Sequence, residues 1–160
     1  MAKHAIRSLD RRHQQLTEEI RDLDQHLTRL VSQAAPQLLD VKGLGPLTCA
    51  ALLVAVGDHP ERMRSESAFA HLCGVAPVPA SSGKTDRHRL NRGGDRQANY
   101  ALYILAVTRM AWGPRTRTSV DKRKADGKST KEIIRCLKRH IAREIYRLLT
   151  TPVGPAQATT

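Results

Sequence analysis

The chain has 160 residues, 40% hydrophobic but only 3% aromatic, so its core must be built from Leu, Ala, Val and Ile, and a base-stacking platform for single strands is not expected. Lysine and arginine number 27 against 15 aspartates and glutamates, a formal net charge of +12; no apolar run approaches the roughly 18 residues of a membrane span. The N-terminus shows no signal-peptide stretch, and the three separated cysteines, Cys49, Cys73 and Cys136, imply no disulfide framework and a reducing compartment.

The fold class expected is mainly α. Leu9, Leu16, Ile20, Leu23, Leu27 and Leu30 recur at heptad-like spacing, and neither Gly nor Pro interrupts before Pro36. This predicts a helical arm over 1–35 whose stripe needs a partner helix, either in a coiled coil with a second copy or on its own domain. Self-association through residues 9–31 is therefore expected. Residues 36–150 read as a small helical domain, and 151–160 as a disordered tail.

From Leu38 to Leu53 the chain reads as a short helix, a turn built on Gly43 and Gly45, and a second helix opened by Pro46 and ended by Gly57-Asp58. Such a segment is similar to the helix-hairpin-helix motif, in which hairpin N–H groups and a helix N-terminus hold a phosphate without reading bases. A turn whose glycines serve packing alone is the alternative. Ser65 is a predicted N-cap and Gly74 a predicted stop for a short helix. Residues 75–80, with Pro77 and Pro79, are expected to be extended.

A polar basic stretch follows, holding Ser81, Ser82, Lys84, Asp86, Arg87, His88, Arg89 and Arg92. A hydroxyl nucleophile attacking a phosphodiester needs cations to meet the developing charge. Both are present here, although the serines could equally be loop residues and the cations mere phosphate holders. Gln97–Trp112 is apolar around its circumference and predicts a buried helix. Residues 113–128 predict a basic loop. Ser129 and Glu132 have capping-box spacing and open a last helix, with a core stripe of Ile134, Leu137, Ile141, Ile145 and Leu148. Along it Arg135, Arg139, Arg143 and Arg147 form a row that self-repels unless an anion faces it. Cys136 and His140 are one turn apart, but two ligands make no zinc site, and no acidic cluster suggests a two-metal nuclease.

The charge is segregated. Residues 1–75 carry nine basic and nine acidic groups; residues 76–160 carry eighteen and six. This is the footprint of a polyanion partner. DNA is expected, on Gly43, Gly45, Lys84, Arg87, Arg89, Arg92, Arg96, Arg135, Arg139 and Arg143. A solubilising surface is the bland alternative.

The stretches VKGLGPLTCAALLVAVGD and RSESAFAHLCGVAPVPASSGKTDRHRLNRGGDRQANYALY together resemble the C-terminal domain of insertion-sequence transposases of the bridge-RNA-guided type, to which Piv-type DNA invertases are related. The resemblance runs over roughly 38–150. It implies a serine that attacks DNA and becomes linked to it, with Ser82, directly before Gly83, as the matching residue and Ser81 as the near alternative. It implies a guide RNA and a RuvC-like partner domain whose carboxylates hold Mg²⁺. It also implies a prokaryotic, nucleoid-associated location in the cytoplasm. No RuvC-like half is expected within this sequence, so that domain is expected in trans or lost, the chain itself holding no cofactor. Competing expectations are a non-catalytic helix-hairpin-helix nucleic-acid-binding protein and a coiled-coil scaffold.

Overall fold

With no helix breaker before Pro36, one helix, α1, runs Ala2–Ala34, 33 residues and roughly 50 Å long. The computed structural model describes residues 2–57, 63–79, 88–89, 91 and 93–151. Only the end of α1 enters the core, through Val31, with Ala35 just beyond it. The rest stands free of the domain, leaving Ile6, Leu9, Leu16, Ile20, Leu23 and Leu30 exposed. The stripe is therefore not covered by the chain's own helical body.

A single 3-10 turn, Pro36–Leu38, replaces the expected short helix. Its Gln37 side chain donates to the carbonyl of Leu148, tying the turn to the end of the last helix. The chain then turns through Gly43, at φ +97°, into α2, Pro46–Val56, with Pro46 in the first helical turn. Ser65 caps α3, Glu66–Leu72, by accepting from Ala68 N–H, and Gly74 leaves that helix at φ +64°, as predicted.

Two short strands, β1 (Val78–Pro79) and β2 (His88–Arg89), pair antiparallel, Val78 opposite Arg89. After them α4, Arg96–Trp112, is capped by the Asp95 carboxylate. It lies at the centre, with α2 on one side and the last helix, α6 (Thr130–Thr150), on the other. Ala98, Ala101, Leu102, Leu105 and Ala106 form its buried face. The expectation of burial all round is corrected here, because Tyr100, Tyr103, Val107 and Trp112 point to solvent. Small alanines let neighbouring helices approach on one side only.

The predicted basic loop is also corrected. Pro114–Ala125 is a helix, α5, docked through Val120. Pro114 takes the first-turn position, and Arg, Lys and Ala are good helix formers with nothing to break them before Gly127. Lys122, Arg123 and Lys124 sit in its last turn, where the helix dipole favours cations.

In α6 the capping box is present: Glu132 accepts from Ser129 N–H at 2.9 Å, and Ser129 Oγ accepts from Glu132 N–H at 3.4 Å. Its fully buried apolar residues are Ile133, Ile141, Ala142 and Ile145, while Ile134, Leu137 and Leu148 pack at the margin of the core. Arg109 of α4 and Glu144 of α6 close a two-pronged ion pair, both contacts at 2.7 Å. Among the described residues, no helix is long and apolar enough to cross a membrane.

Candidate nucleic-acid interface

The basic stretch that the sequence singles out lies in the connection between α3 and α4, which carries β1 and β2. Ser81, Ser82, Lys84, Asp86, Arg87 and Arg92 lie outside the described residues. Arg89 is placed by its backbone in β2. The described structure does show how both stems of this connection are fixed.

Gly94 packs directly on Gly74. A Cβ at Gly94 would stand 2.1 Å from the Gly74 nitrogen and 2.3 Å from its Cα, so only a glycine pair allows this crossing. Asn91 ties Gly93 to the end of α3 beside this crossing. Its Oδ1 accepts from Gly93 N–H at 2.9 Å, and its Nδ2 reaches the His71 carbonyl at 3.4 Å. Asp95 N–H donates to the Leu72 carbonyl at 2.6 Å. Asn99, one turn into α4, donates from Nδ2 to the carbonyls of Cys73 and Gly74 at 2.8 and 3.2 Å. The end of α3 and the start of α4 are thus locked together at the root of the serine-bearing connection.

Beside this lock lies an open cleft of about 680 Å³, lined by Gly74, Asn91, Gly94 and Asn99 with Arg96, Tyr100, Tyr103 and Lys138. Lys138 is only 8% exposed, yet its ammonium reaches the cleft and donates to Asn99 Oδ1 at 2.9 Å. No carboxylate pairs with it among the described residues. Burial lowers its pKa, and the Arg135 charge one turn earlier adds to that. Arg96, expected from sequence, lines this cleft, and Lys138 joins it; Arg135, also expected, is exposed on α6 one turn before Lys138. Sequence reasoning passed over Lys138, although a lysine four residues after Ile134 and three before Ile141 interrupts the core stripe and was the available signal.

Gly43 and Gly45 belong to another surface. The Gly43 position faces Leu105 Cδ1 and Thr108 Cγ2 of α4, at 3.0 and 3.1 Å from where a Cβ would be. Gly43 thus serves packing as well as a left-handed turn. Gly45, the extended N-cap of α2, has nothing within 4 Å of that position and is open to a ligand. Thr108 follows Arg96 by twelve residues, so the hairpin meets α4 roughly 18 Å from the mouth of the cleft.

The arginine row has a different environment from the one expected. Glu66, at the start of α3, accepts from Arg139 Nη2 at 2.8 Å and Arg143 Nε at 3.0 Å. An internal carboxylate supplies the anion that the row needs. Arg139 and Arg143 are therefore structural partners in this state, whereas Arg135 and Arg147 remain exposed. The hydrogen bond from Arg143, with the field of both arginines, holds the Glu66 carboxyl below the usual carboxylate range. The sign is that of a depressed acid: the pairing contributes at neutral pH and is lost as pH falls through that lowered value. Glu66→Gln is expected to return both arginines to solvent, raising affinity for nucleic acid and steepening the dependence of log K on log salt by up to about 2. Fluorescence anisotropy at several salt concentrations measures this, and an unchanged slope would show that the row faces no phosphate even when released.

Burial, with the Asp95 charge adding, pushes the Cys73 thiol up to about 12, so it stays protonated and is no nucleophile at neutral pH. Cys136 and His140 lie on α6, and among the described residues no three His, Cys, Asp or Glu side chains gather as a metal-ligand group.

Residues 35–121 match the family model of the IS116/IS110/IS902 family transposase. The chain is 33% identical over 130 residues to the uncharacterized 43.6 kDa protein of insertion element IS110 from Streptomyces coelicolor, an alignment covering 78% of this chain and 32% of that protein. It is 27% identical over 124 residues to the uncharacterized 42 kDa protein of insertion element IS900 from Mycobacterium paratuberculosis, covering 77% and 31%. The chain spans about a third of the length of these relatives.

Proposed function

The chain belongs to the IS116/IS110/IS902 transposase family, and from that premise we propose that it is the serine-bearing, DNA-binding part of a transposase. The observation that supports this is the glycine–asparagine lock: Gly74 and Gly94, which flank in sequence the segment containing Ser82, are fixed against each other, and a cleft lined by Lys138 and Arg96 lies beside them. In the proposed step the Ser82 hydroxyl attacks the phosphorus and a new P–O bond forms. The bond to one sugar oxygen breaks, and that oxygen leaves as an alkoxide that takes up a proton. The serine proton passes to a base, for which Asp86 and His88 are the local candidates. The exchange is a transesterification, with no water consumed, and the basic residues Lys84, Arg87, Arg89 and Arg92 meet the charge that develops on the phosphoryl oxygens. Ser81 is the alternative nucleophile.

On this reading a RuvC-like domain acts with the chain and brings the Mg²⁺, and a guide RNA supplies sequence recognition by base pairing. The Gly43–Gly45 hairpin takes a DNA phosphate as a helix-hairpin-helix motif does, at open Gly45. Neutralising about five phosphates gives a slope of log K against log salt of roughly −4 to −5, and salt-insensitive binding would count against the whole proposal.

The exposed stripe of α1 supports a second copy as its cover, in a coiled coil over residues 9–31. Leu16→Asp together with Leu23→Asp is expected to convert the oligomer into a monomer in sedimentation equilibrium. A wild-type chain that is monomeric at high concentration would end this part of the proposal.

A further inference from the structure

We propose that the cleft between α4 and residues Asn91 and Gly94 holds one nucleotide of an unpaired strand, its phosphate on Lys138 and Arg96 and its base against Tyr100 and Tyr103. This rests on the nucleic-acid reading above and makes it specific to one strand and one place.

Three independent features converge there. The first is the buried cation. Lys138 reaches the cleft with one hydrogen bond, to Asn99 Oδ1, and no carboxylate partner among the described residues. Asn99 is itself oriented by the two backbone carbonyls that accept from its Nδ2, so its Oδ1 is fixed toward the ammonium. A desolvated ammonium without a countercharge is costly, and a phosphate oxygen entering the cleft supplies both the charge and a charge-assisted hydrogen bond. Arg96, exposed at the rim, adds a second cation.

The second feature is aromatic, and it departs from the expectation that a chain with 3% aromatic residues offers no base-stacking platform. The chain has three tyrosines, and two of them, Tyr100 and Tyr103, meet on this cleft one helical turn apart. Their rings stack with centroids 6.4 Å apart and planes 27° from parallel, and they are 60% and 41% exposed. Exposed aromatic faces beside a cation fit a base stacked next to its own phosphate. A base inside a duplex keeps its faces covered by its neighbours, so the fit is to an unpaired nucleotide. The third feature is location. The cleft adjoins the anchored root of the serine-bearing segment, where a strand presented for cleavage must pass.

The test is fluorescence anisotropy on the full 160-residue chain with three probes: a 12-nucleotide thymidine strand, the same strand with abasic sites throughout, and a 12-base-pair duplex. Wild type is expected to prefer the thymidine strand to the abasic one. Lys138→Met should weaken both single-stranded probes about tenfold and shrink their salt slope by about 0.7. Tyr100→Ala with Tyr103→Ala should weaken the thymidine strand about tenfold and leave the abasic strand unchanged.

Thermal melting separates binding from structure. Lys138→Met should melt at or above the wild-type temperature, because it removes a buried charge. A lower melting point with an unchanged salt slope marks a structural lysine and overturns the proposal. So does equal loss of both strands in the tyrosine variant, or unaltered binding in every variant. If Lys138→Met does not fold, the exposed Arg96→Ala and the tyrosine pair decide the matter by the same criteria. A wild-type chain that binds none of the three probes at low salt fails at an earlier point, the transposase reading itself, and is told apart from loss of this cleft by that result.

Discussion

Ser82→Ala is expected to eliminate the covalent protein–DNA adduct completely while leaving the affinity for DNA unchanged. The effect is all-or-none because alanine has no oxygen with which to form the ester. Unassisted, a serine hydroxyl is a weak nucleophile at neutral pH and needs a base, a lowered pKa or a metal to act. Lys84, Arg87, Arg89 and Arg92 are suited to the second half of the problem, stabilising charge on the phosphoryl oxygens. The adduct is therefore expected when a RuvC-like domain and a guide RNA from a related element are added with DNA, and not with the chain by itself. Trapping the adduct in denaturant and mapping it by mass spectrometry identifies the residue. A peptide modified at Ser81 moves the nucleophile by one position. An adduct that persists when Ser81 and Ser82 are both alanine ends the serine mechanism.

Binding and chemistry separate in this experiment because the cations that line the described cleft, Arg96 and Lys138, lie outside the serine-bearing segment. Charge neutralisation there should lower affinity in proportion to the phosphates lost, a graded effect that salt titration reads. Removal of the hydroxyl changes no charge and should leave that titration where it was.

Some of this molecule is written locally and some is not. The capping box of α6, the Ser65 cap and the glycine turns at Gly43 and Gly74 each need only a few neighbouring residues, and all are present as predicted. The uninterrupted length of α1 is equally local. Most of what is not legible locally concerns partners distant in sequence. Glu66 and Arg143 stand 77 positions apart, so nothing near the arginine row shows that its anion is already provided. The apolar composition of α4 suggested full burial, but which of its residues face outward depends on where α2 and α6 pack. Tyr100 and Tyr103 were lost in that average. The helix from Pro114 is the local exception: its dense charge resembles a loop, and its single buried residue, Val120, gives too faint a periodic signal to outweigh that. Lys138 is the instructive case: a charge inside an apolar stripe contradicts the local pattern, and such contradictions gather at functional sites.

Gly94→Ala is expected to be among the most destabilising single substitutions in the chain, about 3 kcal/mol or more, although it adds one methyl group. The new Cβ would lie 2.1 Å from the Gly74 nitrogen and 2.9 Å from the Cys73 carbonyl carbon. Those are backbone atoms, so no rotamer change can relieve the contact. Gly74 cannot withdraw, because it holds a left-handed φ of +64° and its carbonyl and that of Cys73 both accept from Asn99. Separation of the two segments would also break the bond from Asp95 N–H to the Leu72 carbonyl and displace the cap of α4. Gly45→Ala is the matched control, since its Cβ meets nothing within 4 Å and its φ of −90° suits any residue. Urea denaturation followed by circular dichroism should show a much lower midpoint for Gly94→Ala and a nearly wild-type one for Gly45→Ala. Equal midpoints for the two would mean that the α3–α4 junction yields freely and gives the serine-bearing segment no rigid root.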